Sequence, residues 1–190
     1  MVSTPSKTFS LEEFLQFPET TPASEFIEGY IYQKPMPQGK HSRLQLKLCN
    51  AINDVVEDRK VALAFPELRC TFGGRSMVPD VVVLRWEKIP FDGEGEIENR
   101  FETHPDWMIE ILSPEQASTR SVRNILHGLR WGTQLGWLID PTERFILVFQ
   151  AEQQPVESMG ENSLIVPDFV ELNLTVNQVF DWLKPGKSKS

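Results

Sequence analysis

Two acidic residues sit inside the most apolar stretches of this chain. Pro79-Asp80 opens the run Val81-Val82-Val83-Leu84, and Glu110 interrupts Trp107-Met108-Ile109-Glu110-Ile111-Leu112. An ionised carboxylate is costly to bury unless a cation or several hydrogen bonds sit on it. Two of them in neighbouring strands therefore point to a bound metal, a basic partner or a shared proton. Hard oxygen donors suit Mg2+ or Mn2+. Such an ion can activate water and neutralise the charge that develops on a phosphate under attack. By period-two alternation Glu110 shares a face with Met108 and Leu112, which places its carboxyl on an otherwise apolar surface. A solvent-facing edge strand would give the same pattern.

Other polar residues could complete such a site. Arg120, Arg123, His127 and Arg130 recur at steps of three, four and three, close to one face of a helix. They could neutralise the acid pair, meet a phosphate backbone, or form a solvated stripe of ordinary salt bridges. His127 as a general base needs a nucleophile that the sequence does not place. His41 follows Gly39 and Lys40 and precedes a long helix by one residue. There it could hold an anion together with the helix N–H groups, hydrogen-bond a core carboxylate, or serve as a cap. Glu28 lies in a strand-like run and could face the same cleft. Glu67 shares a strand face with Arg69 and offers either a third oxygen ligand or a surface ion pair.

The elements that must position these groups follow from the pattern. Phe9–Phe17 reads as a short helix, with Ser10 as N-cap, Glu13 closing a capping box and Pro18 after the stop. Phe26–Tyr32 reads as a strand in a hairpin. From Ser42 to about Arg59, Leu44, Leu48, Ile52 and Val55 recur at helical spacing. Val61–Cys70 holds one or two strand stretches, and Gly73-Gly74 turns the chain into a strand over Met77–Leu84. The segment 87–102 is acidic and glycine-containing and reads as an exposed excursion, a lid or a spacer. A core strand over Trp107–Leu112 ends at Ser113-Pro114. Ser118–Gln134 is helical despite Gly128, with apolar contacts from Ile125, Leu126 and Leu129. Strands follow over Leu135–Ile139 and Phe145–Phe149, and a helix near Val176–Leu183 is capped by Thr175. Continuous apolar runs with one internal acid imply strands covered on both faces, hence an α/β architecture around a mixed sheet.

Composition narrows the function. A length of 190 residues with no repeat or linker fits one domain over 1–190, with flexible termini near 1–8 and 185–190. No stretch approaches the roughly 20 apolar residues that cross a bilayer, and the N-terminus lacks a signal-peptide core. The expectation is a cytoplasmic protein with no membrane partner, in which Cys49 and Cys70 are buried reduced thiols. Nineteen basic against 27 acidic residues leave a net charge of −8. That argues against broad, nonspecific affinity for nucleic acid, but an enzyme can gather carboxylates at its centre and confine basic residues to one face. Three histidines and two cysteines, with no Cys-x-x-Cys, argue against structural zinc. Phosphate-loop, dinucleotide-binding and Gly-x-Ser-x-Gly patterns are absent. Trp107, Trp131, Trp137 and Trp182 are mostly usable as core rather than as a ligand pocket.

Five segments in order carry a resemblance. They are Glu28-Gly29-Tyr30-Ile31, Pro37-x-Gly39-x-His41, Pro79-Asp80-Val81-Val82-Val83, Ile109-Glu110-Ile111-Leu112-Ser113-Pro114 and Gly136-Trp137-Leu138-Ile139-Asp140-Pro141. Together with Pro167-x-Phe169 and the closing helix, they resemble the Uma-two family of restriction endonucleases, common in cyanobacteria and placed in the PD-(D/E)XK nuclease superfamily. The likeness spans roughly Phe9 to Leu183. It implies a restriction-endonuclease-like mixed β-sheet flanked by helices, with an N-terminal helix and strand hairpin. It also implies Mg2+, with Mn2+ as a substitute, held by Asp80 and Glu110, with His41 and Glu28 near the cleft.

One part of that pattern is missing. Many metal-dependent nucleases carry a lysine two residues after the second acid, where this chain has Leu112. In many Uma-two members the lysine has moved onto the following helix, in an Asp-x-x-x-Lys-x-x-x-Tyr pattern. Those positions fall here on Arg120, Asn124 and Gly128, none of which matches. Asn124 can hydrogen-bond at the site but carries no charge, while Arg120 and Arg123 could contact phosphate. The resemblance thus implies an endonuclease acting on double-stranded DNA, with a twofold homodimer suited to cutting both strands. The alternative is a catalytically impaired nuclease-fold protein serving as a regulatory or interaction module.

Overall fold

A computed structural model describes residues 8–113 and 118–186. Its elements in chain order are α1 (Leu11–Phe14), β1 (Ser24–Ile27), β2 (Tyr30–Gln33), α2 (Gly39–Val56), β3 (Ala62–Pro66), β4 (Cys70–Phe72), β5 (Arg75–Met77), β6 (Val81–Arg85), β7 (Trp107–Ile111), α3 (Ser118–Arg130), β8 (Leu135–Asp140), β9 (Phe145–Gln150), β10 (Val156–Met159) and α4 (Val176–Asp181). A six-stranded mixed sheet runs β10-β9-β8-β7-β6-β3, and a four-stranded sheet runs β2-β1-β5-β4. Only β7 and β8 pair in parallel within the large sheet, joined through α3, as a crossover helix between parallel strands requires. This is the α/β, mixed-sheet, restriction-endonuclease-like architecture expected from the sequence.

The large sheet is buried on both faces. Val81, Val83, Ile109, Ile111, Trp137 and Ile139 pack with Leu44, Leu48 and Ile52 of α2 and with Val176, Val179 and Phe180 of α4. On the other face Ile125 of α3 meets Leu138 and Phe149. β7 lies between β6 and β8 with all five residues buried, so the edge-strand reading of Glu110 falls. Three glycines mark close approaches on this side. A Cβ on Gly128 would collide with Met108 and Thr133, one on Gly136 with Ile125, and one on Gly73 with Trp131 and His127. Gly128 therefore lets α3 lie against β7, where any side chain would hold it away.

Several boundaries differ from expectation for identifiable reasons. The capping box at Ser10 and Glu13 forms in both directions, at 3.1 and 2.8 Å, but α1 is a single turn. Glu28 and Gly29 both take positive φ (53° and 86°) and make the two-residue turn between β1 and β2, dividing what reads as one strand. The stretch Met77–Leu84 is likewise two pieces. β5 belongs to the small sheet and β6 to the large one, and Val78-Pro79-Asp80 carries the chain across. α2 begins at Gly39, so His41 lies inside its first turn rather than before it. The acidic segment is anchored at both ends, since Ile89 and Phe101 are buried against Leu63, Cys70, Val82 and Leu84. In α3 the buried stripe is Ser121, Asn124, Ile125 and Gly128, whereas Leu126 is exposed. Trp131 is also exposed rather than core. β10 had no clear sequence signal. Pro114, with which the second core strand was expected to end, lies outside the described residues, as do 1–7 and 187–190 of the termini.

Candidate active site

β6 and β7 are antiparallel with Val81 opposite Ile109, so continuing the register sets Asp80 across from Glu110. Both are buried, at 1% and 2% exposure. Each strand contributes its acid where the two sheets meet, and the small sheet answers with residues of its own. In the β1–β2 hairpin Glu25 pairs with Tyr32, and the ladder hydrogen bond from Lys34 N–H to Ala23 O (2.9 Å) carries the register one step past the strand. Glu25, Ile27, Tyr30, Tyr32 and Lys34 consequently share one face.

Lys34 is the group that the sequence reading missed. Its Nζ donates at 2.6 Å to Asp80 Oδ1 and at 2.6 Å to the carbonyl of Val78. Only 12% of the side chain is exposed. Nothing in Gln33-Lys34-Pro35 marks it as special. Its importance arises from a ladder register and a sheet crossing, which are long-range facts. Burial pushes the ammonium down, but Asp80, Glu110 and Glu25 outweigh it and hold Lys34 above its ordinary range.

The two facing acids are shifted in opposite directions. Burial opposes ionisation of Asp80, yet the Lys34 ammonium and His41 overcome it and hold the carboxyl at about 2. Its Oδ2 accepts the backbone N–H of Ile111 at 2.7 Å. Glu110 is pushed well above the usual carboxylate range, first by complete burial and then by the charges of Asp80 and Glu25, against the pull of Lys34. Asn124 Nδ2 reaches Glu110 Oε1 at 3.4 Å and Glu25 Oε1 at 3.3 Å, so α3 ties the two glutamates together. Glu25 Oε1 also accepts the Val78 N–H at 2.9 Å.

α2 supplies a further wall. His41 and Gln45 are one turn apart and buried. Gln45 donates to the Asp80 carbonyl at 2.7 Å. His41 Nε2 stands 3.3 Å from Asp80 Oδ1, out of line for a hydrogen bond, while its Nδ1 is 3.2 Å from Ser113 Oγ.

Asp80, Glu110, His41 and Asn124 thus come together, joined by Glu25, Lys34 and Gln45. Glu28 does not join them. At the hairpin turn its side chain is 61% exposed and pairs with Arg75 and with Arg123, the latter at 3.2 Å. The turn's positive φ points it away from the face that carries Glu25. Glu67 is exposed too, and the third acid at the cluster is Glu25. Arg69 pairs with Glu19 at 2.7 Å rather than with Glu67. His127 lies elsewhere, tilted against the Phe72 ring with its Nε2 3.3 Å from that residue's carbonyl, and burial lowers its ring below the ordinary value. Arg120 lies over the Tyr32 ring at 4.6 Å. With Arg123, Thr119 and Ile27 these two line a groove on the cluster's side of the hairpin.

Among the described residues no three Asp, Glu, His or Cys side chains are already set around one metal position. The chemistry of the donors nevertheless fits a hard divalent ion. Three carboxyl groups face one ammonium, and the buried Asn124 Oδ1 has no hydrogen-bond partner in the structure. No helix of the described residues is long and apolar enough to cross a membrane.

A mixed sheet with an acid at the start of one strand and a second acid inside its neighbour is the arrangement of the PD-(D/E)XK nuclease class, short of its usual lysine. The comparisons agree. The family model Uma2, described as "Putative restriction endonuclease", matches residues 11–177. A crystal structure of a "putative nuclease belonging to DUF820" from Anabaena variabilis is 51% identical, covering 92% of this chain and 99% of its own, with a TM-score of 0.90. No curated protein matches. The chain belongs to the Uma2/DUF820-like family within the PD-(D/E)XK nuclease superfamily.

Proposed function

We propose that this protein is a Mg2+-dependent endonuclease that hydrolyses phosphodiester bonds of double-stranded DNA, with Mn2+ as an alternative ion. The observation that carries the reading is the buried Asp80–Glu110 pair, set across from one another on adjacent antiparallel strands. Asp80 and Glu110 would hold the ion, which when bound activates water and offsets charge on the phosphate. The chain's own residues do the rest. Asn124 orients the Glu110 carboxyl, and the Ile111 N–H fixes Asp80 Oδ2. Gln45 holds the Asp80 backbone from α2, and His41 stands over Oδ1. Arg120 and Arg123, on the rim beside Tyr32, receive the DNA backbone as phosphate contacts. We place the enzyme in the cytoplasm and expect a twofold dimer, which presents two sites to the two strands.

The test is cleavage of duplex DNA by purified protein with Mg2+ or Mn2+, run beside Asp80→Ala and Glu110→Ala. The expected result is ion-dependent cleavage by the wild type that both substitutions abolish, with Mn2+ binding seen by calorimetry. Folded wild type that binds neither ion and leaves every DNA substrate intact sinks the reading. Sedimentation with and without DNA measures the dimer separately.

A further inference from the structure

We infer that Lys34, on the β1–β2 hairpin, is the catalytic cation of this nuclease and stands in for the lysine absent at Leu112 and at Asn124. The inference rests on the nuclease reading above and deepens it.

Neither usual position supplies a cation in this chain. Leu112 lies against the Ile125, Leu138 and Phe149 cluster, where an ammonium would be stranded among apolar groups. Asn124 is engaged by Glu25 and Glu110. Lys34 reaches the same acids from the opposite sheet. Its Nζ sits on Asp80 Oδ1, the edge of the carboxylate left open when Oδ2 takes the Ile111 N–H. Its second contact, to the Val78 carbonyl, fixes the direction of the side chain. An ammonium has three donors, and two are used here, so one N–H remains for an oxygen that enters beside Asp80. Lys34 also shares the hairpin face with Tyr32, whose ring lines the groove with Arg120 and Arg123. A backbone phosphate lying in that groove leads toward the lysine.

In the step itself a water oxygen forms a new bond to phosphorus, and the bond from phosphorus to the leaving sugar oxygen breaks. That oxygen departs with the electron pair and takes a proton from solvent, matching the one the attacking water gives up. Lys34 keeps its proton throughout. It donates a hydrogen bond to the attacking or non-bridging oxygen as charge builds there, the kind of contribution that a preorganised donor makes.

A merely structural counter-ion for the acids would give a different outcome, and single-turnover cleavage at saturating Mn2+ separates the two. Lys34→Gln, shown to be folded by circular dichroism, is expected to cut roughly 100-fold or more slowly. Its Mn2+ affinity by calorimetry and its affinity for duplex DNA in Ca2+ should be no weaker than wild type. If Lys34→Gln does not fold, Lys34→Arg keeps the charge and should still lose about tenfold or more, because a guanidinium does not reproduce the compact ammonium. A folded K34Q that cuts as fast as an active wild type overturns this inference alone. So does a K34Q whose Mn2+ affinity falls about tenfold with the rate, since the lysine then organises ligands rather than chemistry. A wild type inert with both ions overturns the nuclease reading and this inference together.

Discussion

Asp80 and Glu110 show how one buried cluster can shift two like groups in opposite directions. Lys34 lies directly on Asp80, whereas Glu110 meets the uncharged Asn124 amide, so the ammonium's benefit goes unequally to the two acids. Asp80, held at about 2, contributes stability above its unfolded value near 4, and that contribution is lost as pH falls through 2. Glu110 works the other way. Below about pH 4.3 it is protonated in both folded and unfolded chains and costs nothing, but above that the unfolded chain ionises more readily and stability falls with rising pH. Glu110→Gln should therefore unfold at higher urea than wild type at pH 7, with the two midpoints converging below about pH 4. Parallel curves across that range would show that Glu110 is not held above its ordinary range. Glu28 makes the contrasting case. Its carboxylate is exposed, and its pair with Arg123 is at the surface, where such pairs contribute little, while the other partner, Arg75, is buried. Cleavage by folded Glu28→Ala should stay within about twofold of wild type, since its side chain is 61% exposed and lies outside the acid cluster.

At the scale of elements, the β7–α3–β8 crossover depends on Gly128. A Cβ there enters the space of Met108 and Thr133. Gly128→Ala should lower stability by about 1–3 kcal/mol through overpacking, read from denaturant midpoints, even though alanine is the better helix former. An unchanged or raised midpoint would show that α3 can shift outward. The same packing explains a departure seen in the sequence, because a tyrosine cannot stand at 128 while Met108 occupies the space beneath it. What was legible in the chain follows this logic. α2, β7, β8, β9 and α4 announced themselves because their apolar residues repeat at 3.6 or fill a buried run. Asp80 and Glu110 were visible because each breaks such a run. Lys34 and Glu25 were not, since they lie among polar neighbours and gain meaning only when β1 and β2 fold against the Val78–Asp80 crossing. The crossing itself was hidden by continuity, as Met77 and Val81 read as one strand while serving two sheets.

For the molecule as a whole, a net charge of −8 sets the terms on which DNA can approach. Long-range electrostatics oppose that approach, so binding depends on the few cations at the groove and on an ion at the acids. Arg120→Ala and Arg123→Ala should each weaken DNA binding in Ca2+ to a similar degree for every sequence, and each should reduce the slope of log affinity against log salt by about 1. Loss confined to particular sequences would make these residues readers of bases rather than of the backbone. The sheet crossing carries one more consequence. The amide proton of Ile111 is held by the Asp80 side chain, and that of Val78 by Glu25, not by ladder carbonyls. Their exchange with deuterated solvent is therefore timed by the opening of the acid cluster, while the Val81–Val83 amides beside them keep time with the sheet. Two neighbouring clocks in one backbone would report, without substrate or mutation, whether the cluster breathes independently of the fold that holds it.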